Sequence, residues 1–130
     1  MPRLPLAALM ALAAALASPA HAAGLEWERR EAAVTARPGQ RVIHVAFPFR
    51  NAGDKVVTIV SVETSCHCTS ADTSKRSYSP GETDALGVDF TLGAQDGVVV
   101  QSVTVTTDGP ELQPFVLTLR VTIPAAAPPR

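Results

Sequence analysis

The chain has 130 residues, with 11 Lys and Arg against 12 Asp and Glu and a formal net charge of −1. A near-neutral balance with no basic stripe argues against nucleic acid or anionic lipid as a partner. The length leaves room for one domain with a modest core.

The N-terminus reads as an address rather than as structure. Arg3 supplies a positive n-region, Leu4 to Leu16 form an almost unbroken apolar run, and Ala20-His21-Ala22 fits the small-x-small pattern before a cleavage site. The run falls well short of the ~20 apolar residues that span a bilayer. Residues 1–22 are therefore expected to be a secretory signal peptide, and the mature protein to be a periplasmic or secreted bacterial one. No later segment is apolar enough for a membrane span. Met1 and Met10 both lie in the signal, so the mature chain carries no methionine.

The body, residues 23–123, is dominated by strand signals. Leu25 to Ala36 is the one stretch that could pass for a helix, and no apolar stripe runs through it. In Arg41 to Phe49, Ile43, Val45, Phe47 and Phe49 share one face and leave Val42, His44 and Ala46 on the other. Asn51-Ala52-Gly53-Asp54 predicts a turn before a Val/Ile/Thr-rich strand over Lys55 to Val62. Ser79-Pro80-Gly81-Glu82 places Pro and Gly at the two central positions of a type II turn. Leu86, Val88 and Phe90 mark the next strand; Val98 to Thr107 follows and stops at Asp108-Gly109-Pro110. Phe115, Leu117, Leu119, Val121 and Ile123 alternate with Val116, Thr118, Arg120 and Thr122 in the last. Residues 124–130, with three prolines and no large side chain to bury, are expected to be a disordered Pro/Ala tail.

About seven short strands with regular turns and no interleaved helices predict an all-β, immunoglobulin-like antiparallel β-sandwich. Its two cysteines are only two residues apart, so they cannot bridge the sheets as in antibody domains, and the core must hold by packing.

The order Phe47-x-Phe49-x-Asn51-x-Gly53, Ile59-x-x-Val62 and Ser65-Cys66-His67-Cys68-Thr69 resembles the exported bacterial family DUF1573. The likeness continues through Pro80-Gly81-Glu82, Val88-x-Phe90 and Val103-x-Val105-x-Thr107, and spans roughly residues 27–123. It implies an exported β-sandwich of the architecture found in hydin-like domains, and brings no established activity. Glycine usually separates the cysteines in this family; here the residue is His67.

Three readings of Cys66-His67-Cys68 compete. An intramolecular Cys66–Cys68 disulfide suits an oxidising compartment. On a regular strand, however, residues i and i+2 lie about 6.5–7 Å apart, at the limit for bridged Cα atoms, so a bridge requires a bend. Strained bridges are the labile or catalytic ones, which gives this reading a redox side. Alternatively, Cys66 and Cys68 with His67 hold a soft metal, Cu(I) or Zn(II), whose bonds to two thiolates tolerate a sulfur separation of roughly 4 Å. The lack of methionine speaks against copper, and the usual paired zinc spacing is missing. Otherwise the cysteines are structural, or bond to another protein.

No catalytic set emerges. His44 and His67 are the only histidines after the signal, and no nucleophile elbow surrounds a serine. Glu63, Asp72 and Glu82 read as solvated carboxylates, Lys75-Arg76 as a pair rather than a patch, and Trp27 as core or edge packing. The sequence thus points to a non-enzymatic, exported module that binds another envelope protein through loops or a sheet edge, with no cofactor. The rival is a thiol redox or Cu/Zn-binding protein using Cys66, His67 and Cys68.

Overall fold

The computed structural model describes residues 24–111 and 113–125. The expected signal peptide at 1–22 and residues 126–130 of the expected tail lie outside them. Within that span the period-two pattern of the sequence becomes nine strands: β1 (Leu25–Trp27), β2 (Glu31–Thr35), β3 (Val42–Asn51), β4 (Val57–Thr64), β5 (Thr69–Asp72), β6 (Ser77–Tyr78), β7 (Thr83–Thr91), β8 (Gly97–Thr107) and β9 (Phe115–Ile123). They form two sheets, β1-β3-β7-β5 and β2-β9-β8-β4-β6. Among the described residues no helix is long and apolar enough to cross a membrane.

The architecture is the expected immunoglobulin-like sandwich, with two differences. Leu25 to Ala36, the one stretch that could have passed for a helix, holds two strands, and they belong to different sheets: β1 pairs antiparallel with β3, and β2 pairs parallel with β9. The chain crosses the sandwich at Glu28-Arg29-Arg30, so β2 enters the second sheet along β9 in β9's own direction. The sandwich is therefore not wholly antiparallel. The strand count rises from about seven to nine, and β1, β2, β5 and β6, which the sequence pattern did not mark individually, are two to five residues long, too short for a period to register.

Inward-facing side chains of both sheets form one core. Ile43, Phe47 and Phe49 of β3 and Leu86, Val88 and Phe90 of β7 meet Val103 and Val105 of β8 and Phe115, Leu117, Leu119 and Val121 of β9. Each such side chain contributes roughly 1.5–3 kcal/mol when fully withdrawn from water. Trp27 packs at one end against Phe49 and Phe115, with ring centroids 4.9 and 5.8 Å apart, and Phe49 meets Tyr78 edge-on at 4.8 Å. In β4 the pairing with β8 slips between Ile59 and Ser61, a bulge that leaves Val60 exposed. The extra residue switches the inward parity, so that Ile59 and then Val62 face the core.

Candidate functional site

Most residues that carry the family likeness are structural. Phe47, Phe49, Val88, Phe90, Val103 and Val105 are buried in the core. The three-residue spacing of Ile59-x-x-Val62 breaks the strand period because of the bulge. Asn51 is fully buried: its side-chain amide donates to the carbonyls of Lys55 (2.7 Å) and Tyr78 (2.9 Å), and its oxygen accepts from the Gly53 N–H (3.0 Å). It thereby ties the turn after β3 to β6. Gly81 adopts a φ of +80° and the Glu82 N–H donates to the Ser79 carbonyl at 3.0 Å, as a type II turn requires. Packing and turn chemistry leave one part of the motif unexplained, Cys66-His67-Cys68.

These three residues form the crossover from β4 in one sheet to β5 in the other. The backbone turns there rather than running extended, with the Thr69 N–H donating to the Cys66 carbonyl at 3.2 Å. The turn brings the two cysteine Cα atoms to 5.2 Å, and the sulfurs are bonded to each other. The geometric objection raised by an extended segment therefore does not apply. The Cys68 N–H points at the Cys66 sulfur, 2.9 Å away. Both cysteines are half-buried; Cys68 packs against the core and His67 between them is exposed. On either side the backbone is anchored without the bridge, by Ser65 N–H to Ser102 O (2.9 Å) and Thr91 N–H to Cys68 O (2.8 Å).

The donor set fits a metal poorly. Bonded sulfurs offer no thiolate to Cu(I) or Zn(II), and no group of three His, Cys, Asp or Glu side chains comes together among the described residues. His44 stands on β3, away from the turn, with its Nδ1 2.6 Å from Asp89 on the exposed outer face. Of the carboxylates, Glu63 is exposed on β4, Asp72 pairs with Arg76 at 3.4 Å, and Glu82 pairs with Lys75. None of them converges on the cysteines.

Two features escaped the sequence reading. The first is a polar knot beneath β6. The Tyr78 hydroxyl lies 2.7 Å from both the Asp84 carboxylate and the Lys75 carbonyl, which share its single proton, and the Ser74 hydroxyl donates to Asp84 at 2.7 Å. Burial, reinforced by the Asp84 carboxylate, holds the Tyr78 phenol above its ordinary pKa. Burial works to raise Asp84 as well, but hydrogen bonds from Ser74, Tyr78 and the Ala85 N–H outweigh it, and the carboxyl lies below its usual range.

The second is the outer edge of β2. The Thr118 N–H donates to Arg30 O and the Ala36 N–H to Thr122 O, both at 2.8 Å, so the even-numbered residues of this strand face β9. The backbone groups of Glu31, Ala33 and Thr35 point the other way, where no further strand of the described residues lies. Beside this edge runs an open cleft of ≈ 310 Å³ lined by Arg29, Ala32, Ala33, Val34, His44, Val45 and Ala46. It exists because β1 covers β3 only at Phe49 to Asn51, leaving the earlier half of β3 unflanked. The only sequence signal of this edge was the alternation of Ala32 and Val34 with Glu31, Ala33 and Thr35, which is too short to separate from a helix.

Residues 25–123 match the family described as protein of unknown function, DUF1573. The chain belongs to that family. This DUF1573 chain is similar in fold to a protein of unknown function from Porphyromonas gingivalis W83, at a TM-score of 0.68 and 12% identity, over 76% of this chain and 46% of that one. It is also similar to the ASH/PapD-like domain 7 of human CEP192, at a TM-score of 0.61 and 13% identity over 97% and 100% of the two chains. A third likeness is to the periplasmic chaperone SfaE, at 0.58 and 12%, covering 82% and 60%. At these identities the likeness is one of fold. The DUF1573 domain spans under half the length of the P. gingivalis chain. No curated protein matches it in sequence.

Proposed function

We propose that this protein is a non-enzymatic, exported DUF1573 module that binds another envelope protein by accepting an extended segment along β2. The Arg3, Leu4–Leu16 and Ala20-His21-Ala22 pattern supports the export part of the reading. The observation that carries the reading is the free edge of β2, five residues long and flanked by the open cleft. Free N–H and C=O groups in a row are a template for strand addition, and natural sheets usually blunt such edges with charge, proline or a bulge. Here the sequence is Glu31-Ala32-Ala33-Val34-Thr35, with one charge at its start and small side chains that let a second backbone approach. The adjoining cleft offers Val34, Val45 and three alanines as floor for alternate side chains of the incoming strand. A fold shared with a periplasmic chaperone and with an ASH/PapD-like domain is compatible with such a role.

Ala33→Pro tests it. Its N–H makes no bond to β9, so proline is tolerated on the edge by the fold but removes a donor and obstructs a docking strand. A photo-crosslinking residue at Thr35 is expected to capture one discrete envelope protein in cells, with capture kept in Ala33→Ser and lost in Ala33→Pro at unchanged circular dichroism. Equal capture by both variants overturns the reading.

A further inference from the structure

We infer that Cys66–Cys68 is a thiol–disulfide exchange site for a partner protein's dithiol, in which Cys68 receives the incoming sulfur and Cys66 departs as the thiolate. This site lies on the flank opposite β2, since β5 and β2 occupy opposite sides of the sandwich. It is independent of the docking edge.

Three observations carry the inference. First, the bridge staples almost nothing. It closes a ring across one intervening residue, so it restrains the unfolded chain far less than a long-range disulfide does. The crossover is held on both sides by backbone hydrogen bonds that do not involve sulfur. The fold thus keeps its anchors whether the bond is open or closed, as a reversible exchange site requires.

Second, the bridge is within reach. It sits in a turn at the flank, both cysteines are half-buried, and the residue between them is exposed. Third, the two sulfurs are unequal. The Cys66 sulfur has an N–H donor at 2.9 Å, whereas Cys68 packs against the core and its sulfur has only the Thr69 hydroxyl at 3.9 Å. A hydrogen-bond donor stabilises a thiolate and an apolar surrounding penalises it, and exchange is faster when the better-stabilised thiolate leaves. Cys66 is therefore the leaving sulfur.

The chemistry balances as follows. A thiolate of the partner attacks the Cys68 sulfur; the Cys66–Cys68 bond breaks, a partner–Cys68 disulfide forms, and the electron pair goes to Cys66 as thiolate. The partner's second thiolate then attacks its own sulfur in that mixed disulfide and expels Cys68. The partner's dithiol is oxidised by two electrons to a disulfide, and Cys66 and Cys68 are reduced to two thiols, taking up the two protons the partner released.

Glutathione serves as the probe. Oxidised, folded protein is mixed with reduced glutathione, quenched with N-ethylmaleimide, and mapped by fragmentation mass spectrometry, in which His67 separates the two sites. The expected product carries glutathione on Cys68 and maleimide on Cys66, at least tenfold over the reverse. The reverse pattern, or an even split, overturns the assignment of the leaving sulfur. A bridge that reacts only after unfolding in denaturant, or thiols that are free before glutathione is added, overturns the exchange site itself. With a reduced, unfolded two-thiol protein as substrate, wild type is expected to oxidise one equivalent of dithiol. The Cys66→Ser, Cys68→Ser double variant, folded by circular dichroism, is expected to oxidise none; equal oxidation by both overturns the inference.

Discussion

Replacing Asn51 with alanine separates a structural from a functional reading of the family's Asn-x-Gly element. Asn51 has no exposed surface and makes three side-chain hydrogen bonds, two donated to the Lys55 and Tyr78 carbonyls and one accepted from Gly53. At about 1 kcal/mol net for each bond, Asn51→Ala is expected to cost roughly 3 kcal/mol, and more if the carbonyl of the fully buried Tyr78 is left without a partner. Domains of this size hold only about 5–15 kcal/mol in all, and each kcal/mol moves Tm by about 4–8 °C, so the midpoint should fall by roughly 12–24 °C. Urea unfolding followed by Trp27 fluorescence is the assay, because this single tryptophan is buried between Phe49 and Phe115. A carboxylate keeps the acceptor for Gly53 but loses both donors and faces two carbonyl oxygens. Asn51→Asp should therefore be at least as unstable as Asn51→Ala at neutral pH. Burial raises the folded-state pKa of such a carboxyl, so the variant regains stability as pH falls through that value. An Asn51→Ala protein within about 1 kcal/mol of wild type, at unchanged denaturant slope, refutes the account of this residue as the tie between β3 and β6.

Opening the bridge should cost far less than removing a long-range disulfide. For a ring of three residues the chain-entropy relation gives only about 1.6 kcal/mol at 25 °C, so the Cys66→Ser, Cys68→Ser double variant should lose no more than that in the same urea assay; a loss above about 3 kcal/mol would make the bridge a staple after all. The polar knot predicts two limits in pH. Asp84 has a folded pKa below its unfolded value, so its contribution is present above the unfolded pKa of about 4 and is lost as pH falls through the folded one. Asp84→Asn should accordingly flatten the acid limb of a stability–pH curve, and an unchanged limb counts against the knot. Tyr78 has a raised pKa, so its contribution is complete below about pH 10 and is lost as pH rises through the folded value. Tyr78→Phe, which removes the hydroxyl proton shared by Asp84 and the Lys75 carbonyl, should cost about 1–2 kcal/mol at pH 7 and remove that alkaline loss.

Much of the molecule was written in its local pattern. The local pattern placed β3, β7, β8 and β9, and alternation named the buried faces of β3, β7 and β9, because successive side chains on a strand point to opposite sides whatever that strand pairs with. Pro80-Gly81 set its turn for an equally local reason, since glycine accepts the positive φ found there. The resemblance of ordered short motifs added the family. Tertiary structure decided what depends on partners distant in the chain. It split Leu25–Trp27 from Glu31–Thr35 and sent them to opposite sheets, a choice made by which hydrogen-bonding edges of β3 and β9 were left open. It turned Ile59-x-x-Val62 from an irregular spacing into a bulge against β8. The two candidate sites belong to this second class. An edge is an edge only once every other strand has paired, so the free groups of Glu31, Ala33 and Thr35 are properties of the finished sheet. Cys66-His67-Cys68 was legible as a motif, but its turn comes from joining strands of two different sheets, and that crossover is what brings the sulfurs together and sets the Cys68 N–H against Cys66.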